Sequence, residues 1–278
     1  MPDPTAQVIL TPADFADTGQ WRLLIYVSSG GMRALLRHAS DKSRPAVQIF
    51  NEEWRSESPD LLMRHIENAV YEHPSVLDDY ATEIVVEAPE LTWVPSGIFD
   101  GDGISEEVAE EIFRSVYPEG SCEVMADRIG GETALYTLAP GFDGFMARTI
   151  PGARMRSHLG VLAERLRRMD AGSGRLRVYA DIRERRMDLL AFRGEGLVSA
   201  SLQSWNTSED AAFRIFSLLN AYSSGAEDSE VYLRGDGDNV REVLSLTSGF
   251  CHVAGRIPLP EGVDALSLPL AAALSLYK

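Results

Sequence analysis

The chain has 278 residues, 45% of them hydrophobic and 24% charged, a size that suits two domains at roughly 100–200 residues each. Its formal net charge of −16 disfavours contact with phosphate backbones, so no nucleic-acid partner is expected. No apolar run approaches the ~20 residues that cross a bilayer, and Met1-Pro2-Asp3-Pro4 carries no basic segment ahead of an apolar one; the expectation is a cytoplasmic protein with neither membrane insertion nor a secretory leader.

Residues 21–28 alternate as a strand does, with Leu23, Ile25 and Val27 on one side and Arg22, Leu24 and Tyr26 on the other. Ser28-Ser29-Gly30-Gly31 reads as a tight turn into a second strand over 31–38, and the polar stretch from Ser40 to Arg44 as the turn into a third over 45–50. The result is an antiparallel three-stranded meander. Pro59 and the spacing of Leu61, Leu62, His65, Ile66, Ala69 and Val70 predict an amphipathic helix over 60–72. Short strands follow at 83–87 and 91–94, split by Pro89. Ser105 is a predicted N-cap, with Glu106 and Glu107 in the first turn where they suit the helix dipole, and that helix should stop near Pro118. Residues 122–128 and 132–138 are strand-like. Met155, Leu159, Leu162, Leu166 and Met169 step by four and three, which predicts one helix across 152–170.

Ala171-Gly172-Ser173-Gly174 is small and flexible and lies between a helix and a new set of strands, so the domain boundary is placed there. A first, acidic domain then spans 1–171 and a second 172–278, with a C-terminal tail able to pack back on the first. The strand signature returns at 175–182, 186–193 and 196–204. In the first of these runs Leu176, Val178, Ala180 and Ile182 share one face, and Arg175, Arg177, Tyr179 and Asp181 the other. Asn206, with Glu209 three residues on, is a predicted helix cap ahead of Ala212, Phe213, Phe216 and Leu219. A strand at 230–234, a turn at Gly235-Asp236-Gly237-Asp238 with Asp238 or Asn239 as cap, a helix over 240–246 and a strand near 251–254 complete the order strand-strand-strand-helix-strand-helix-strand.

Catalytic fingerprints are sparse. Lys42 and Lys278 are the only lysines and neither stands in a GxxxxGK[ST] loop, which excludes a Walker-type ATPase. Cys122 and Cys251 form no CxxC pair, and His38, His65, His73, His158 and His252 lack zincin spacing, so no metal site is expected. Phe99-Asp100-Gly101-Asp102-Gly103 has no glutamate at the twelfth loop position and reads as a turn, not a calcium loop. Charge is uneven. Residues 1–150 hold 26 acids and 10 bases, whereas eleven arginines stand against five acids between Arg154 and Arg193. Those arginines either complement the acidic first half or receive an anionic partner.

The segments Thr92–Asp100, Leu135–Leu162, Arg177–Asp210 and Val231–Asp236 resemble a bacterial family of unknown function, DUF3822, and the repeated strand order is similar to the actin, Hsp70 and sugar-kinase superfamily. The resemblance implies an α/β fold of two actin-like (ribonuclease H-like) domains, each a mixed sheet opened by the meander and packed with helices. It also implies kinship with pilus-assembly and cell-division scaffolds, and no established activity. Active members of that superfamily place an aspartate and glycines in each first hairpin, where backbone N–H groups cradle phosphates and carboxylates hold magnesium. Here each hairpin keeps half of that pattern. Ser28, Ser29, Gly30 and Gly31 include no acid; Asp181 is followed by Arg183, Arg185 and Arg186 without a glycine. These arginines are either a solvated turn or forks for a phosphate. Gly235 and Gly237 stand where the superfamily often contacts adenosine, and equally where a strand turns into a helix. Two readings follow: a non-catalytic scaffold or interaction module with a protein partner and no cofactor, or a divergent nucleotide-binding protein or ATPase that uses ATP with magnesium in the interdomain cleft.

Overall fold

A computed structural model describes residues 17–41, 44–55, 58–95, 105–118, 123–169, 171–183, 185–235, 237–259 and 268–276. Strands β1 (Trp21–Ser28), β2 (Gly31–His38) and β3 (Val47–Glu53) form the antiparallel meander. Helix α1 (Pro59–Glu72) starts where the Ser58 side chain accepts from the Leu61 N–H, with proline in the first turn, and buries Leu62, Ile66, Ala69 and Val70. It returns the chain so that β4 (Ala81–Glu87) pairs parallel with β1. An inserted layer follows. It comprises β5 (Glu90–Pro95), α2 (Glu106–Val116), β6 (Met125–Ile129), β7 (Glu132–Thr137) and α3 (Phe142–Thr149), with the three strands in a small sheet ordered β5-β7-β6. Strand β8 (Arg154–Ser157) then joins β4 in parallel and leads into α4 (His158–Leu166), completing a sheet ordered β3-β2-β1-β4-β8.

The second half repeats the plan without the insertion. Strands β9 (Leu176–Ile182), β10 (Arg186–Arg193) and β11 (Gly196–Ser204) form the second meander. After them come α5 (Ser208–Tyr222), β12 (Ser229–Gly235), α6 (Gly237–Thr247), β13 (Val253–Arg256) and α7 (Leu270–Leu276). The sheet is ordered β11-β10-β9-β12-β13, the same arrangement as the first. Leu176, Val178, Ala180 and Ile182 join Ile215 of α5 and Val240 and Val243 of α6 in one core. The larger core is built on β1, β2 and β4 with α1 and α4, and it also takes in Tyr179, Leu190 and Phe192 from the second sheet. Helix α7 lies against β1 and α4, with residues 270 to 276 all buried.

Four sequence expectations change. The stretch 152–170 is not one helix: pairing with β4 draws Arg154–Ser157 into a strand, and the Ser157 side chain, accepting from the Gly160 N–H, starts the helix only at His158. The α5 cap is Thr207, not Asn206; Thr207 is the extended residue and its hydroxyl accepts from the Asp210 N–H at 3.2 Å. Asp238 and Asn239 lie inside the first turn of α6, which begins at Gly237, and so neither is its cap. The last strand sits two residues later than expected, because Glu230 of β12 pairs with Val253. Ser105 caps α2 as expected, with the Val108 N–H donating to its hydroxyl. Cys251 is a buried free thiol, while Cys122, Lys42, Asp236 and the loop from Phe99 to Gly103 lie outside the described residues.

Candidate functional site

The first hairpin turn uses its own polar groups. Ser28 Oγ accepts from the Gly30 N–H at 3.2 Å and donates to the Gly31 carbonyl at 3.3 Å. Trp54 closes the turn from β3's end, its indole N–H donating to the Ser29 carbonyl at 3.1 Å and its backbone N–H to the Gly30 carbonyl at 3.0 Å. Gly31 is required by packing: a Cβ there would stand 2.5 Å from the Glu52 carbonyl oxygen on the neighbouring strand. Ser29 and Gly30 are exposed.

The second hairpin is built differently. Asp181, near the end of β9, is 6% exposed, and Asp188, opposite it on β10, is 1% exposed. Arg183 and Arg186 emerge from the turn and fold over them. Arg183 Nη2 meets Asp188 at 2.5 Å, Arg186 Nε meets Asp188 at 3.2 Å, and Arg183 Nε lies 3.8 Å from Asp181. Both guanidinium groups also cross to the first sheet. Glu87, the last residue of β4, accepts from Arg183 Nη1 at 2.5 Å and from Arg186 Nη1 at 3.3 Å, while Arg186 Nη2 donates to the Ala88 carbonyl at 3.1 Å. The Tyr26 hydroxyl on β1 donates to Glu87. His158, fully buried at the start of α4, brings Nε2 within 2.7 Å of Arg186 and 3.6 Å of Asp188. The turn is therefore not the solvated one of the simpler expectation for Arg183 and Arg186, because buried carboxylates on two sheets need their charge. Arg185 alone of the three is exposed.

Electrostatics follow from this crowding. Burial pushes the carboxyls up, and for Asp188 and Glu87 the surrounding groups outweigh it: His158, Arg183 and Arg186 hold Asp188 well below the usual range, and Arg183, His158 and Arg186 lower Glu87. Asp181 goes the other way. Burial, helped by the Asp188 and Glu87 charges, raises its carboxyl to about 7 against the pull of Arg183 and Arg234.

Asp181 and Gly235 line one cavity of about 630 Å³, together with Arg33, Arg183, Arg234 and Arg256. Ser28, Ser29, Gly30, Gly31 and Gly237 are not among its lining residues. Gly235 has φ +146 and no room for a side chain, since a Cβ would stand 2.0 Å from the Ile182 carbonyl oxygen of the paired strand. Gly237, at φ +61, opens α6 with nothing near its Cβ position. Among the described residues, no cluster of three or more His, Cys, Asp or Glu is placed to hold a metal ion.

Glu87, Asp188, His158 and Tyr26 escaped the sequence reading. The one local signal was Asp188, an acid inside the apolar run Met187–Phe192, a pattern that marks a paired buried charge. Several other arginines of the 154–193 cluster are also engaged within the chain. Arg156 bridges Asp127 and Glu164 at 2.8 Å each, Arg167 meets Glu132 at 3.1 Å, and Arg193 meets Asp228 at 3.2 Å.

The family model described as "Protein of unknown function (DUF3822)" matches residues 12–252. No curated protein matches the chain. Among solved structures, the chain is similar to a Bacteroides thetaiotaomicron protein with an actin-like ATPase fold and unknown function, at a TM-score of 0.78 and 17% identity, over 95% of this chain and 98% of that one. It is more distantly similar to the PilM-PilN type IV pilus biogenesis complex (TM-score 0.45, 12% identity, 85% and 88% covered). The ethanolamine utilization protein EutJ from Carboxydothermus hydrogenoformans stands at a similar distance (0.47, 9%, 91% and 89%). The first of these shows the fold: two mixed sheets of the actin-like ATPase type. No helix among the described residues is long and apolar enough to cross a membrane.

Proposed function

The chain belongs to the DUF3822 family, and we propose that this member is a non-catalytic actin-like scaffold or interaction module of the cytoplasm that works through a protein partner. One observation carries the reading. Arg183 and Arg186 of the second hairpin are latched onto Glu87 of the first sheet and Asp188 of the second, between the two halves whose hairpins hold phosphates in active relatives of this fold. A carboxylate already bonded to two guanidinium groups has little capacity left for hydrated magnesium, and opening the latch would strand buried charges. The first hairpin adds support, since the Gly30 N–H is already bonded to Ser28. Outward-facing aromatics on the second half, Phe213 at 62% and Phe250 at 59% exposed, suit a protein that acts through its surface.

The divergent nucleotide-binding or ATPase reading has one observation in its favour, the shared cavity of Asp181 and Gly235. A thermal-shift titration with Mg-ATP and Mg-ADP separates the two. The scaffold reading expects no saturable shift at millimolar nucleotide. A ligand of the native state at ~100 times its Kd adds about 2.7 kcal/mol, and a shift of that size, lost in Asp181→Ala, would overturn it.

A further inference from the structure

The cavity beside the latch shares Arg183 with it and carries three further arginines that the latch does not use. Four arginines from four strands or their ends line it: Arg33 on β2, Arg183 after β9, Arg234 on β12 and Arg256 on β13. Asp181 is the one carboxylate among its described lining residues. Arg33 has a counter-charge in Glu53 at 3.5 Å, and Arg234 Nη2 donates to the Leu268 carbonyl at 2.8 Å. Two donors of this group are buried and without a hydrogen-bond partner among the described residues: Arg234 Nη1, and Arg183 Nε, whose ion-pair partner Asp181 stands 3.8 Å away. A buried guanidinium N–H left unmet costs free energy, so an acceptor drawn in beside these two arginines would be stabilised. The rest of the wall is apolar, with Leu233, Ile257, Leu259, Leu268 and Leu270. A cavity of about 630 Å³ exceeds what a bare tetrahedral anion fills.

We propose that this cavity binds, without metal, the phosphoryl group of a small organic phosphate, whose carbon portion rests on the leucine wall. Guanidinium forks match tetrahedral oxyanions, and among the described lining residues four guanidinium groups face a single carboxylate, a balance that suits an anion held directly by arginine. The inference goes beyond the scaffold reading and survives its loss, because it requires neither hydrolysis nor a nucleotide. Asp181 couples the site to pH. The charged groups around it are Arg183, Asp188, Arg234 and Glu87, with Arg33 and Arg256 across the cavity; its neutralisation leaves the arginines without their nearest counter-charge and strengthens anion binding.

The test is calorimetric titration of the full chain at low ionic strength and without divalent cations. Sulfate serves as the probe of constant charge, and inorganic phosphate and phenyl phosphate as the free and organic forms. Saturable binding is expected for all three, with phenyl phosphate tightest. Arg234→Gln and the exposed Arg256→Gln should each weaken it about tenfold or more, while Arg193→Gln, on the surface beside Asp228, should not. Sulfate should bind more tightly at about pH 6 than at about pH 8, and Asp181→Asn should remove that difference. The proposal is overturned by an absence of saturable heat at millimolar anion, or by equal affinity in folded Arg234→Gln and Arg256→Gln. Phenyl phosphate no tighter than inorganic phosphate would remove the organic part of the proposal. Binding of ATP only with magnesium, with sulfate inert, would overturn both this site and the scaffold reading, whereas sulfate binding without any nucleotide effect leaves both standing.

Discussion

In the first sheet the hairpin between β1 and β2 is a glycine turn at the surface, closed by a serine and a tryptophan, and it carries no charge. The corresponding hairpin of the second sheet sends two arginines into buried carboxylates of both halves. Strand order is the same in the two sheets, and so is the position of the turn. Equivalent backbone therefore carries unrelated chemistry, which is why a fold relationship alone says little about activity. The difference also assigns mechanical roles. The first hairpin holds the end of its own sheet, while the second joins the sheets to each other.

Substitutions can break that contrast if it is wrong. The largest effect is expected for Asp188→Ala, which removes the counter-charge that Arg183 and Arg186 share inside the protein; about 3–5 kcal/mol of stability should be lost in urea denaturation. Ser28→Ala, at the other hairpin, should cost only about 0.5–1.5 kcal/mol, the worth of its local hydrogen bonds. Equal losses would mean that the two turns are not mechanically different.

Glycines give the next largest contrast. Gly235→Ala forces a Cβ against the Ile182 carbonyl at a φ that side chains rarely adopt, and should cost about 2–4 kcal/mol by the same assay. At Gly30 the nearest atom to a Cβ is 3.9 Å away, so Gly30→Ala should cost less than about 1 kcal/mol. A tolerant Gly235 would return that residue to the role of a ligand contact.

The most gradual effect is one of pH. Asp181 holds its proton more tightly folded, up to about 7, than an unfolded aspartate near 3.9, so its contribution is present below about pH 4 and is lost as pH rises through about 7. Asp188 and Glu87, held low, act with the opposite sign: their contribution is present above about pH 4 and disappears as pH falls through their folded values. Stability curves should therefore decline between about pH 5 and 7 with a slope of at most about 1.4 kcal/mol per pH unit from Asp181. Asp181→Asn should flatten that decline and leave the acid limb in place; an unchanged slope would show that Asp181 is not the group responsible.

Local pattern carried much of the fold. Period-two alternation in β1 and β9, with the turns that follow them, located the six meander strands, and Pro59 with its apolar spacing and the Ser105 cap located two helices. Strand β8 was hidden because its four residues earn their conformation from β4, about seventy positions earlier, and their spacing reads equally well as helix. Helix α3 was hidden because eight residues after a left-handed Gly141 show too little periodicity to stand out. At the candidate site, Asp181 and Gly235 were named for nucleotide and belong to one cavity, while Arg33, Arg234 and Arg256 had no mark in the sequence. Nothing local distinguishes an arginine that will face a cavity from one that will face water.

The sequence by itself determined the α/β class, the repeated strand order and the two faces of β9, because these depend on contacts between residues a few positions apart and on which side chains share a face. Only the tertiary structure decided that the polar face of β9 is an interior one, with Arg177 at 0% and Tyr179 at 1% exposed. It also brought Glu87 to Arg183 and Arg186 across nearly a hundred residues. Alternation tells which residues point together and not what will cover them, and the pairing of buried charges is set by whichever chain segment packs there.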